Sequence, residues 1–200
     1  YGLKKEQKVT LLGIGMGSIG TLTLEGREAV RNADLIVGAR RMVDAVRLPG
    51  QDFLYEYRSR EIAEYLAEHL EYTRVVIALS GDVGFYSGAK KLVELLGPET
   101  KMICGISSVV YFMSKIGLSW DDAKIVSAHG RKCNLVSLIR TNQKVFAILG
   151  TADGAANLAE KLTEYGMGDV MLYVGENLSY TTEKIFVKQA KELTDYRGDA

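Results

Sequence analysis

Val9-Thr-Leu-Leu-Gly-Ile-Gly-Met-Gly-Ser-Ile-Gly20 is the stretch that decides the fold class. Its first half is a short apolar run, which predicts a buried strand, and its second half is a glycine loop reading G-x-G-x-x-G from Gly15. Behind the loop, residues 23–33 predict a helix capped by Thr23, with Leu24, Ala29, Val30 and Ala33 on one face. A second apolar run at 34–38 and a third at 74–79 predict further buried strands. Between them, Pro49-Gly50 signals a turn, and Ile62, Leu66 and Leu70 line one side of a helix over 60–71. A helix over 87–96 stops at Gly97-Pro98. Strand and helix alternate, which predicts an α/β unit with a mainly parallel sheet.

The pattern weakens near Gly117-Leu-Ser-Trp-Asp-Asp122 and then resumes. Strands at 124–127, 144–149, 169–174 and 183–188, with helices at 134–141 and 154–165, predict a second α/β lobe. The expected division is therefore 1–116 and 117–200. No repeat or low-complexity tract interrupts the chain, and a ligand site at the lobe interface is the default expectation.

Composition narrows the partners. The 200 residues carry 25 Lys+Arg against 25 Asp+Glu, so there is no basic excess to hold a nucleic-acid backbone. With 47% hydrophobic residues the chain is rich enough for a globular core. Cys104 and Cys133 are too few for a disulfide framework or a four-cysteine zinc site, so a cytoplasmic setting without a metal is expected, with both thiols as buried spectators. No apolar stretch approaches a membrane span of about 18 residues, and the polar start does not have the pattern of a signal peptide.

Three polar, small-residue junctions follow apolar runs: the glycine loop, Ser80-Gly-Asp-Val-Gly-Phe-Tyr-Ser87 and Gly105-Ile-Ser-Ser108. In an open parallel sheet they lie along one edge, where ligands bind. A dinucleotide fold also needs an acid at the end of the second strand, and Val37-Gly-Ala-Arg-Arg41 has none, so NAD is disfavoured. Arg40 suits the additional phosphate of NADP, which leaves a reductase as an alternative. Asp82 binds a cation or a ribose, or caps the next helix.

These three junctions resemble the ordered motifs of the tetrapyrrole methylases, S-adenosylmethionine-dependent enzymes with relatives acting on diphthamide and ribosomal RNA. Trp120-Asp-Asp-Ala123, Ser127-Ala-His-Gly-Arg131 and Glu176-Asn-Leu-Ser-Tyr180 are similar to the branch that methylates carbon 5 of cobalt-precorrin-7 in cobalamin synthesis. The resemblance runs from about residue 9 to 188. It implies two α/β lobes, a homodimer, a corrinoid substrate and S-adenosylmethionine in the cleft between lobes. The cofactor contacts it implies are Met16, Ser80, Gly81, Asp82, Phe85, Ser107, Ser108, Leu149 and Leu178. Methylation at carbon 15, with decarboxylation, is expected on a separate chain. Another branch of the family, acting on a different corrin carbon, diphthamide or rRNA, is the other alternative. Met16, Val83, Cys104 and Thr181 stand where the family commonly has proline, and Ser18 where it has aspartate, so looser loops are expected.

Methyl transfer from a sulfonium to an electron-rich carbon needs orientation more than a nucleophile, and the sequence assigns no catalytic residue. Arg131, His129 and Arg58 are the candidates for meeting substrate carboxylates, Arg131 because a guanidinium holds a carboxylate bidentately. The residues 55–58 face the cleft or form an edge strand. His69 is expected on a helix surface.

Overall fold

A computed structural model describes residues 7–130 and 133–198. The chain forms two compact units, one through Ser108 and one from Val109. The expected division after residue 116 falls at the far end of the helix that opens at Ser108.

The first unit alternates strictly: β1 (Lys8–Gly13), α1 (Leu24–Arg31), β2 (Leu35–Gly38), α2 (Arg40–Val46), β3 (Asp52–Tyr55), α3 (Ser59–Glu68), β4 (Arg74–Leu79), α4 (Ala89–Leu96) and β5 (Lys101–Ile103). The strands pair in the order β3-β2-β4-β1-β5, all parallel. Successive residues of the central strands are buried on opposite faces, which is why they read as unbroken apolar runs. Leu12, Ile36, Val76 and Ala78 pack with Val30, Ala33, Val43 and Val46 from the α1 and α2 segments. Leu11, Leu35, Val75 and Ile77 pack with Ile62 and Leu66 of α3 and Ala89 and Leu92 of α4. The chain steps one way along the sheet through α1 and α2, then back through α3 and α4. Right-handed crossovers put the two pairs of helices on opposite faces.

Thr23 caps α1 as expected, accepting a hydrogen bond from the Gly26 N–H at 3.0 Å. Leu24 does not share the buried face and is 84% exposed. Six residues separate it from Val30, about one and two-thirds turns, which turns it away from the sheet. Leu70 likewise lies beyond the end of α3 and is exposed, because the helix closes at Glu68 with His69 as its cap. The His69 ring stacks on Tyr65 at 3.8 Å and its Nδ1 lies 2.8 Å from the Tyr65 carbonyl oxygen, a structural role. Asp34 ties the starts of β2 and β4 together. It accepts from the N–H groups of Thr73 and Arg74, the Thr73 hydroxyl and the Arg74 guanidinium. The Thr73 hydroxyl is the largest cause holding its carboxyl down at about 2.

The second unit holds most of α5 (Ser108–Ile116), then β6 (Lys124–Ser127), α6 (Leu135–Thr141), β7 (Val145–Ile148), α7 (Gly154–Glu164), β8 (Met171–Glu176) and β9 (Lys184–Gln189). β6 and β7 pair in parallel, and β8 and β9 form an antiparallel pair. Ala159 and Leu162 of α7 are fully buried with Ala190 and Leu193, and Val136, Ile139, Leu172, Val174 and Phe186 pack around them. Asn134 caps α6, accepting from the Ser137 N–H at 3.1 Å.

Candidate functional site

In the first unit β1 and β4 are neighbours whose chains leave their carboxyl ends in opposite directions, β1 toward β2 and β4 toward β5. That is the topological switch point of an open α/β sheet, where ligands bind. The three junctions singled out in the sequence all emerge there, after β1, β4 and β5.

The loops are fastened to one another. Gly15 and Gly81 exchange backbone hydrogen bonds, the Gly15 N–H donating at 3.1 Å and the Gly81 N–H at 2.8 Å. Asp82 bridges the other two loops. One carboxylate oxygen accepts from the Gly84 N–H at 2.8 Å and the other from the Gly105 N–H at 2.9 Å. Within the first loop, the buried Thr21 hydroxyl accepts from the Met16 N–H at 3.0 Å and donates to the Ser18 carbonyl at 2.9 Å. The looser loops expected from missing prolines are thus pinned by hydrogen bonds.

The steric demand matches the motif spacing only in part: a Cβ on Gly15, its first glycine, would lie 2.3 Å from the Thr21 carbonyl oxygen. A Cβ on Gly13 would lie 2.6 Å from the Gly81 oxygen, and one on Gly105 would lie 2.1 Å from the same atom and 2.5 Å from the Gly13 oxygen. Gly20, the last glycine of G-x-G-x-x-G, meets nothing within 4 Å. The glycines therefore serve close approach of three backbones. Gly13 and Gly105 are the site residues that sequence reasoning passed over, although each stands in a quoted motif.

Met16, Gly81, Asp82, Phe85 and Ser108 are half-buried at this edge, Ser80 is exposed and Ser107 is buried. The Phe85 ring meets Tyr86 edge-on at 5.0 Å. Arg40, the residue that kept NADP open, begins α2 and lies 4.6 Å over the Tyr55 ring. Tyr55 ends β3, so the edge-strand alternative for this stretch holds up to that residue. Arg58 is engaged elsewhere: its guanidinium pairs with Glu56 at 2.7 Å and Glu61 at 3.2 Å, and the Glu56 carboxyl is held at about 2, chiefly by that hydrogen bond.

In the second unit, His129 is exposed just past β6. Its backbone N–H donates to the Ser127 hydroxyl at 3.3 Å, and its ring leaves no room for a side chain at Gly150. Leu149 follows β7 and is half-buried, as is Leu178 in the turn after β8. Arg131, the favoured substrate candidate, lies outside the described residues. Cys133 is half-buried, but Cys104 is exposed and not the buried thiol expected, because the chain leaves the sheet after Ile103. Among the described residues no group of three or more His, Cys, Asp or Glu is placed to hold a metal, and no helix is long and apolar enough to cross a membrane.

Residues 8–194 match the family of Tetrapyrrole (Corrin/Porphyrin) Methylases. The chain is similar to the probable cobalt-precorrin-7 C(5)-methyltransferase of Methanocaldococcus jannaschii, 30% identical over 197 residues that cover 94% of this chain and 92% of that protein. It is 28% identical to the cobalt-precorrin-7 C(5)-methyltransferase of Salmonella typhimurium over 179 residues, 88% of each. In fold it resembles the uroporphyrin-III C-methyl transferase of Thermus thermophilus, whose crystal structure is a complex with S-adenosylhomocysteine. The TM-score is 0.75 at 19% identity, covering 96% of this chain and 93% of that one. The glycine-cradled switch point and the match along nearly the whole sequence agree: the chain belongs to the tetrapyrrole methylases.

Proposed function

We propose that this chain is an S-adenosylmethionine-dependent C-methyltransferase of cobalamin synthesis that methylates carbon 5 of cobalt-precorrin-7. The observation that carries the reading is the similarity to two relatives named for that reaction, each matched along most of its own length. The three fastened loops support it. Their lining suits the donor: half-buried Met16 and Phe85 offer apolar surface to a purine, and exposed Ser80 offers a hydroxyl to polar groups. Met16, Ser80, Gly81, Phe85, Ser107 and Ser108 are the proposed contacts, and Leu149 and Leu178 are carried in the same proposal. Asp82 acts on the loops, since both its oxygens already accept from backbone N–H groups.

When bound, S-adenosylmethionine supplies an electrophilic methyl group on a sulfonium sulfur. The chain's task is to orient donor and corrinoid, an effect worth up to roughly 7–11 kcal/mol, and it requires no nucleophilic side chain. His129 and Arg131 are proposed to meet the substrate's carboxylates. Arg58 is less suited, because two carboxylates already neutralise it. The reading includes a cytoplasmic homodimer, with methylation at carbon 15 on another chain.

Calorimetry with S-adenosylhomocysteine and with NADPH tests the cofactor. Binding of the first without the second is expected. Binding of NADPH alone would return the reductase reading.

A further inference from the structure

Among the described residues only Tyr86, Asn177 and Ser179 hold a positive φ without being glycine, at 51°, 48° and 70°. Two of them fall in one turn, residues 176–180, after β8. Asparagine enters this region readily, but a serine resists it, so the Ser179 conformation persists only where the surroundings enforce it, and such residues collect at ligand-binding segments. Here the enforcing group is Glu183. One oxygen of its carboxylate accepts the Ser179 N–H at 2.6 Å and the Tyr111 hydroxyl, also at 2.6 Å. Tyr111 stands on α5, next to Phe112, whose ring packs where a Cβ on Gly175 would sit, 2.7 Å away. Leu178 approaches the same position to 2.9 Å. The turn is therefore tied to α5 by the Glu183–Tyr111 hydrogen bond, and Leu178 packs beside Gly175 with Phe112. The Ser179 hydroxyl is buried and has no hydrogen-bond partner among the described residues.

We propose that Glu183 is a positioning residue for the methyl donor: it holds the 176–180 turn in the strained conformation that presents Leu178. This rests on the reading above, in which Leu178 touches the donor. What the turn needs is one oxygen able to accept two hydrogen bonds, and a glutamine carbonyl supplies that where an alanine does not.

The test is S-adenosylhomocysteine affinity by calorimetry, well below the melting temperature of each variant. Glu183→Ala is expected to weaken binding about tenfold or more, and Glu183→Gln to stay within about threefold of wild type. Tyr111→Phe, which leaves the Ser179 bond in place, should fall between them, and it keeps the test open should Glu183→Ala fail to fold. A Glu183→Ala protein that melts earlier yet binds as wild type would overturn the proposal, because a purely structural role moves only the melting temperature. Glutamine as weak as alanine would overturn it too, as would Tyr111→Phe at wild-type affinity. Wild type that does not bind S-adenosylhomocysteine would bring down the cofactor reading itself, a separate and recognisable outcome.

Discussion

Gly105→Ala is expected to abolish measurable S-adenosylhomocysteine binding and to destabilise the first unit by roughly 1–3 kcal/mol. The added methyl would stand 2.1 Å from the Gly81 carbonyl oxygen and 2.5 Å from that of Gly13. Both are backbone atoms at the ends of packed strands, so neither can swing aside as a side chain would. Relief requires β1, β4 and β5 to separate at their carboxyl ends, where the Gly15–Gly81 bridge and the Asp82 link operate. Gly88→Ala is the matched control. It has nothing within 4 Å and φ at −78°, so no clash arises, and the change at the α4 N-cap should cost no more than about 1 kcal/mol and leave binding at wild type. Urea unfolding with parallel calorimetry reads both variants. A stable Gly105→Ala protein that binds normally would mean that the three loops do not make the site.

Asp82→Asn is expected to be nearly as damaging as Asp82→Ala, each lowering S-adenosylhomocysteine affinity about 10–100-fold. The carboxylate accepts one backbone N–H on each oxygen. Asparagine keeps one acceptor and turns an NH2 toward the other donor, so one loop is released and a donor faces a donor. Were Asp82 a ribose ligand alone, asparagine would retain part of the contact and should bind clearly better than alanine. The ratio of the two variants thus separates loop fastening from direct contact.

Much of the fold was legible because both faces of the central strands are covered. Residues 74–79 match β4 end to end, since a strand buried on two sides leaves an unbroken apolar run, and residues 124–127 match β6, whose short apolar pair Ile125-Val126 is only half-buried. The helix α2 was not foreseen. Its seven residues carry no side-chain cap at Ala39 and follow a glycine strand end, so neither start signal nor length stood out. Leu24 is apolar yet exposed, because its angle around the helix, not its character, decides which face it joins.

The site was legible as three junctions but not as a mechanism of assembly. Asp82 and Gly105 are 23 positions apart, and only the strand order β4-β1-β5 brings the carboxylate to that N–H. The same holds for Tyr111 and Glu183, 72 positions apart. The motif spacing points to Gly15 and Gly20 alike, whereas the structure places steric demand on Gly15 but not Gly20, and adds Gly13 and Gly105. Which glycine is indispensable depends on what crosses it, and that is a property of packing.

Methylation of carbon 5 can be read by incubating the protein with cobalt-precorrin-7 and S-adenosylmethionine carrying a carbon-13 methyl group, then locating the label by carbon NMR. One labelled methyl at carbon 5 and none at carbon 15 is expected. Label at another ring carbon, or no transfer by a protein that binds S-adenosylhomocysteine, would contradict it.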